Sequence, residues 1–143
     1  MPSAQRTITV NRPVDEVFRF FSTPANDQSW RPAVKEIRAD EPPAVGSHIH
    51  QVVAGPGGRG IPADIEVTTY EPGARYGFKV VAGPARPVGE YVFTPVGDGT
   101  QVHFSLSVEL GGLKKLFMSG PVQKSMAGEM ASLDTAKRLI EQA

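Results

Sequence analysis

NRPVDEVFRFFSTPANDQSW, residues 11–30, follows a short alternating segment and ends on the chain's one tryptophan. In the segment before it, QRTITVN over 5–11, Ile8 and Val10 share one face, the pattern of a half-buried strand. Asn11 is placed to cap a helix, and Pro13 falls in the first turn, where a missing N–H costs little. Asp15 and Glu16 then sit at the positive end of that helix. Val14, Val17, Phe18 and Phe21 fall at i, i+3, i+4 and i+7 and make one apolar stripe. Thr23-Pro24 restarts a second short turn, and Pro32 ends it just past Trp30 and Arg31.

Downstream, the alternation predicts strands at about 34–40, 47–54, 61–71, 75–82, 87–96 and 100–109, which with the first make seven. Gly- and Pro-rich turns separate them at 42–46, 55–60, 72–73, 83–84 and 97–99. Consecutive strands with such short connections form an antiparallel meander. Residues 101–109 alternate most cleanly: Val102, Phe104, Leu106 and Val108 point one way, His103, Ser105, Ser107 and Glu109 the other. After Gly111-Gly112, residues Leu113, Leu116 and Phe117 suggest a first helical stretch, interrupted at Gly120-Pro121. The main helix is expected from about 121 to 141, with Val122, Met126, Met130 and Leu133 as its apolar stripe, continued by Ala136 and Ile140. Such a stripe must be buried, and the sheet is the only large apolar surface on offer.

The totals narrow the function. A chain of 143 residues is read as one domain, 1–143, long enough for a real core. Its 15 Lys and Arg balance 15 Asp and Glu, so no global field steers it to nucleic acid or an acidic membrane. It has no cysteine, which excludes disulfides, thiolate chemistry and cysteine-held metals. The start, MPSAQRTITV, lacks the apolar run of a signal peptide. No stretch approaches the roughly 20 apolar residues of a membrane span. A cytoplasmic protein, monomer or homodimer, without integral membrane association, is the expectation.

Four groups of residues carry a family resemblance. RPVDEVFRFFSTP resembles the first-helix opening of the START-like, Bet v 1-like superfamily, the polyketide cyclase/dehydrase and lipid-transport (SRPBCC) group. W30-R31-P32 is similar to its tryptophan after the second short helix. Y70-E71-P72 and E90-Y91-V92-F93-T94-P95, followed by GDGT, resemble its strand endings and tight hairpin. SGPVQKSMAGEM with LIE resembles its long terminal helix. The resemblance spans the chain almost end to end and implies an α+β helix-grip fold: a curved antiparallel seven-stranded sheet, two short helices after the first strand, and a long C-terminal helix across the concave face. It also implies a ligand cavity between sheet and helix. It does not settle activity, because members include carriers, receptors and aromatase/cyclases.

The candidate sites divide accordingly. GPGGRG at 55–60 is followed by a strand, so it reads as a hairpin turn and not as a phosphate loop. His48 and His50 share a strand face, but a metal would need a third ligand from another strand, and His103 lies on a polar face. They read as solvated sheet histidines, with no metal and no cofactor. No G-x-S-x-G elbow supports nucleophilic catalysis. The pocket is the better candidate. Strand faces bearing Ile65, Tyr76, Phe78, Tyr91, Phe93 and Phe104 would line it. Met118, Met126 and Met130 would line it from the terminal helix, since methionine adapts to varied apolar shapes. Trp30 either caps the cavity or anchors the short helix. Gln51 shares a face with Ile49 and Val53, and a buried amide needs partners. The first reading is therefore a binder of a small apolar or aromatic ligand. The second is a cyclase or dehydrase in which Tyr91 or Gln51 polarises a carbonyl. The third is a protein-interaction module.

Overall fold

The alternation of Val102, Phe104 and Leu106 survives into the structure, a computed structural model, as three buried side chains beneath a curved sheet. The structure describes residues 3–83, 85–109 and 112–143, with the side chains of Pro56 and of residues 112–119 outside that description. Among the described residues eight strands form: β1 (Ser3–Val10), β2 (Val34–Ala39), β3 (His48–Ala54), β4 (Gly60–Pro62), β5 (Ile65–Glu71), β6 (Arg75–Val80), β7 (Val88–Val96) and β8 (Gly99–Ser107). The order is β1-β8-β7-β6-β5-β3-β2, with short β4 paired to β3 outside that path. Every pairing is antiparallel. The seven-stranded path is the expected one. The predicted strand at 61–71 is two strands, because the Asp64 carboxylate takes the Gln51 backbone N–H at 3.2 Å in place of a strand carbonyl.

Between β1 and β2 lie α1 (Val14–Phe21), a 3-10 turn (Pro24–Asn26) and α2 (Asp27–Trp30). The stripe of α1 is inward, with Val17, Phe18 and Phe21 buried. Asn11 does not cap this helix. Pro13 occupies the cap position without a side-chain bond, and the Asn11 N–H donates to Glu141 Oε2 at 2.7 Å. The long helix α3 is continuous from Gly112 to Gln142, with Pro121 inside it. The expected interruption at Gly120-Pro121 does not occur. A proline there removes a ladder bond and crowds the carbonyl four residues back, but Met126, Met130, Leu133, Ala136 and Ile140, all buried, hold the helix downstream. The first-stretch residues Leu113, Leu116 and Phe117 have side chains outside the description. No helix among the described residues is long and apolar enough to cross a membrane.

Polar bonds set α3 alongside β1. Gln123 Nε2 donates to the Ser3 carbonyl at 2.8 Å. Arg6 donates to the Met130 carbonyl at 3.0 Å and to Asp134 at 2.6 Å. Arg12 reaches the Glu141 carbonyl. Both elements therefore run the same way. The strand from residue 3 to 11 and the helix from 123 to 141 each span about 27 Å, so the bonds stay in step. Helix α3 also packs against α2, beside β2. Side chains, chiefly rings, line the space below the middle strands. Tyr91 stacks on Phe104 with centroids 4.2 Å apart and planes 5° apart. Phe18 meets Phe93 edge-on at 5.2 Å.

One glycine is required by this ring layer. Gly89 on β7 pairs with Phe78 on β6 and Leu106 on β8. A Cβ there would stand 2.4 Å from Phe78 Cζ and 2.8 Å from Leu106 Cδ2. Gly89→Ala is expected to lower stability by about 1–3 kcal/mol through overpacking. The measurement is the urea midpoint, with the slope unchanged. A variant melting with the parent would mean that the Phe78 ring does not lie over β7.

Candidate functional site

The site grows from one turn of helix. Asp27 and Arg31 are four residues apart, so the side chains meet on one face of α2. Arg31 Nη1 donates to Asp27 Oδ2 at 2.9 Å. The same guanidinium forks onto Glu129 of α3, with Nε to Oε2 at 2.8 Å and Nη2 to Oε1 at 2.9 Å. Its Nη1 also donates to Gln51 Oε1 of β3 at 2.9 Å. Gln51 Nε2 in turn donates to the Ala63 carbonyl at 3.1 Å. One cation thus joins α2, β3 and α3. Side-chain exposure is 12% for Arg31 and 14% for each carboxylate, so the whole cluster is largely withdrawn from water.

The local sequence explains each placement. Gln51 alternates with Ile49 and Val53 on the inward face of β3, and only 2% of it is exposed. Glu129 sits three residues after Met126 and one before Met130, on the margin of the buried stripe of α3. Trp30 is 1% exposed. It packs edge-on against Phe21 at 5.4 Å, with the Arg31 guanidinium 6.0 Å from its ring centre. Two buried atoms of this cluster, Asp27 Oδ1 and Trp30 Nε1, fall short of ideal hydrogen-bond geometry, but the Trp30 N–H stands close enough to the Asp27 carboxylate to favour its charged form.

The electrostatics follow from burial. Desolvation raises the Asp27 pKa from 3.8 to about 6, against the pull of Arg31. Burial works against the Arg31 charge, but Glu129 and Asp27 outweigh it and hold the guanidinium charged. Burial, reinforced by the Asp27 charge, pushes the hydroxyls of Tyr76 and Tyr91 up, so both stay protonated at neutral pH. They can donate a hydrogen bond and cannot act as bases.

The residues expected to line a pocket come together in one buried cluster. Trp30, Ile65, Tyr76, Tyr91, Phe93, Phe104, Met126 and Met130 all belong to it, and half-buried Phe78 packs against it. Gln51 is buried beside them, with both ends of its amide held by protein. The Met118 side chain lies outside the described residues. Asp27, Arg31 and Glu129 went unrecognised in the sequence. The i, i+4 pairing of Asp27 with Arg31 and the acidic residue inside the methionine stripe were the available signals. The histidines lie elsewhere. His48 meets Glu66 at 3.3 Å, and His50 bridges Glu36 and Asp64 at 3.3 and 3.1 Å. The described residues contain no group of three or more His, Asp or Glu placed to hold a metal. Two open hollows sit apart from the cluster of charges. One of about 460 Å³ lies along Ser3–Gln5 and Ser105–Ser107, and one of about 240 Å³ between Asp15, Phe18, Arg19, Tyr70 and Gly73.

Known proteins give this geometry its context. The family model described as polyketide cyclase / dehydrase and lipid transport matches residues 1–141. TTHA0849 from Thermus thermophilus has a similar structure, with a TM-score of 0.80, 19% identity and 97% of each chain covered. A START superfamily protein from Mycobacterium smegmatis superposes with a TM-score of 0.76 at 16% identity, covering 98% of this chain and 97% of that one. Ara h 8.0201 does so with a TM-score of 0.75 at 10% identity, covering 99% and 98%. At these identities the likeness is one of fold. No curated protein matches the chain.

Removing the shared cation should be costly. Arg31→Met leaves two buried carboxylates and the Gln51 carbonyl without their donor, an expected loss of about 3–5 kcal/mol of unfolding free energy, measured by urea titration. Arg31→Lys should recover only part of it, since an ammonium cannot fork. Wild-type stability in both variants would show that the cluster does not tie the elements.

Asp27 adds a pH signature. Its folded pKa of about 6 lies above the ordinary 3.8, so the folded chain binds more protons between those values. Its contribution to stability falls as pH rises through that window, by on the order of 3 kcal/mol. Measured at pH 4.5 and pH 7, the stability difference between wild type and Asp27→Asn should move in favour of wild type at the lower pH. A difference independent of pH would contradict the buried carboxylate.

Proposed function

This chain belongs to the polyketide cyclase/dehydrase and lipid transport family, and on that footing we propose that it binds a small apolar or aromatic molecule between its sheet and α3. The observation that carries the reading is an interior of two characters. Stacked rings and two methionines form one side, and a buried cluster of Asp27, Arg31, Gln51 and Glu129 forms the other. Stability alone does not call for the second part, because apolar residues of similar volume usually serve a core as well as buried ion pairs do. A ligand with a flat apolar body and one polar group matches both parts. The rings supply area with specific geometry, and methionines adapt to the ligand's edge.

A second reading uses the same interior for a cyclase or dehydrase reaction. It is favoured by Asp27, whose pKa of about 6 suits a group that gives and takes protons near neutral pH. Here Tyr91, held protonated, would donate to a carbonyl, and the ring walls would orient a reactive chain. Turnover of a poly-β-keto thioester that disappears in Asp27→Asn, with the fold intact, would move this reading ahead.

The binding reading is tested with a neutral fluorescent probe. Nile red should bind the wild-type protein with a saturable rise in emission. Met126→Phe or Met130→Phe should abolish that rise while lowering the melting temperature little, because the ring fills space the ligand would use. Both positions are needed, since they lie one helical turn apart. Phe104→Ala serves as the packing control and should destabilise by about 3–5 kcal/mol. A parent that takes up no probe, with both Phe variants unfolding far below it, would show a solid interior and end the proposal.

A further inference from the structure

The sheet ends differently at its two edges. At one, α3 lies along β1, where Gln123 donates to the Ser3 carbonyl at 2.8 Å and Arg6 to the Met130 carbonyl at 3.0 Å. At the other stands β2, and no strand among the described residues lies beyond it. The first part of β2 is closed. Helix α2 and the 3-10 turn before it pack there, and Gln28 Nε2 donates to the Lys35 carbonyl at 3.0 Å. From 36 to 39, no described side chain bonds the backbone from that side.

The backbone direction in this open stretch follows from β3. Ile37 pairs with Gln51. The Gln51 carbonyl accepts from the Ala63 N–H at 2.8 Å, and the Gln51 N–H donates to Asp64 Oδ1 at 3.2 Å, so both groups point away from β2. In an antiparallel ladder, opposed residues exchange both backbone bonds or neither. Ile37 therefore turns its N–H and C=O off the edge, the template another strand needs. Its side chain faces inward, half-buried against the core. Glu36 and Arg38 flank it on the outer face, with side chains 58% and 62% exposed.

We propose that β2 is the contact between two copies of this chain, paired antiparallel about a twofold axis at Ile37, so that the two sheets run on as one.

In that register the two Ile37 residues exchange N–H to carbonyl bonds, and their side chains meet across the axis. Glu36 of each copy lies opposite Arg38 of the other, and Lys35 lies opposite Ala39. A slip of two residues either way sets Glu36 against Glu36 or Arg38 against Arg38, and like charges directly opposed are unfavourable. Charges on an edge strand ordinarily keep other strands off. Here one acid and one base, placed either side of a residue whose backbone faces outward, make the edge complementary to itself. The open stretch is short and ends at the Gln28 cap, so the interface is small and the dimer weak.

Sedimentation equilibrium on the full-length chain, from about 10 μM to about 1 mM, should show monomer passing to dimer with a midpoint on the order of 100 μM. Arg38→Glu and Glu36→Arg each set two like-charge pairs across the axis, and each should weaken association about tenfold or more. Both residues are exposed, so the urea midpoint should stay near that of wild type. Mixed in equal amounts, the two variants should associate as strongly as wild type, because one chain then presents two acids and the other two bases. In wild type, which needs no variant to fold, amide exchange at Ile37 should slow as concentration rises through the midpoint. A wild type still monomeric at about 1 mM would overturn the proposal and leave the edge to a foreign strand. A dimer that neither reversal weakens, a mixture no tighter than its components, or an Ile37 amide indifferent to concentration would overturn it as well.

Discussion

Two of the three helices, α2 and α3, are joined to the sheet through the Arg31 guanidinium. It forks onto Glu129 of α3, holds Asp27 across its own turn, and donates to Gln51 in β3. A helix laid on a curved sheet has an apolar stripe to bury but little to fix its rotation or its register. Dispersion is non-directional, and a stripe of methionine and leucine tolerates sliding. A planar fork with fixed donor directions does not. At the other side, Arg6, Gln123 and Glu141 keep α3 in step with β1. The helix is thus pinned along both margins, with the ring layer between.

The arrangement carries an energetic tension. Withdrawing three charges from water opposes folding, and the attraction among them offsets that penalty only when geometry is good. The raised pKa of Asp27 shows that the offset is incomplete at this carboxylate. A core selected for stability alone would have used apolar side chains here. The cluster is better understood as a polar end built onto an aromatic interior, positioned by secondary structure on three sides. Its supporting bonds, such as Gln51 to the Ala63 carbonyl, hold the groups in orientation before any ligand arrives.

The outer face of the sheet shows the contrast. His48 with Glu66, and His50 with Glu36, are cross-strand pairs in contact with water, and His50 also meets Asp64 of the break between β4 and β5. They fit the usual role of polar residues on the wet side of an antiparallel sheet. Comparable residue types, placed on the inner face or at its rim, become a different kind of site because the solvent is gone.

The elements and their order were legible in the residues alone. Alternation in 101–109, the stripe through Val17, Phe18 and Phe21, and the Gly- and Pro-rich turns are local signals, and local sterics and periodicity act on them directly. Gln51 was legible for the same reason, since its neighbours on the strand face drew it inward. Three features came only with the folding of distant segments onto one another. Asn11 lies two residues short of the cap position, which Pro13 holds, and its backbone N–H is bound by the distant Glu141, while Pro121 failed to stop a helix that its buried downstream stripe holds in place. Glu129, beside the methionine stripe, becomes part of a buried ion cluster only because Arg31, 98 residues away, comes to face it. A charge is buried only if its counter-charge is delivered to the same place, and no spacing along the chain records that delivery.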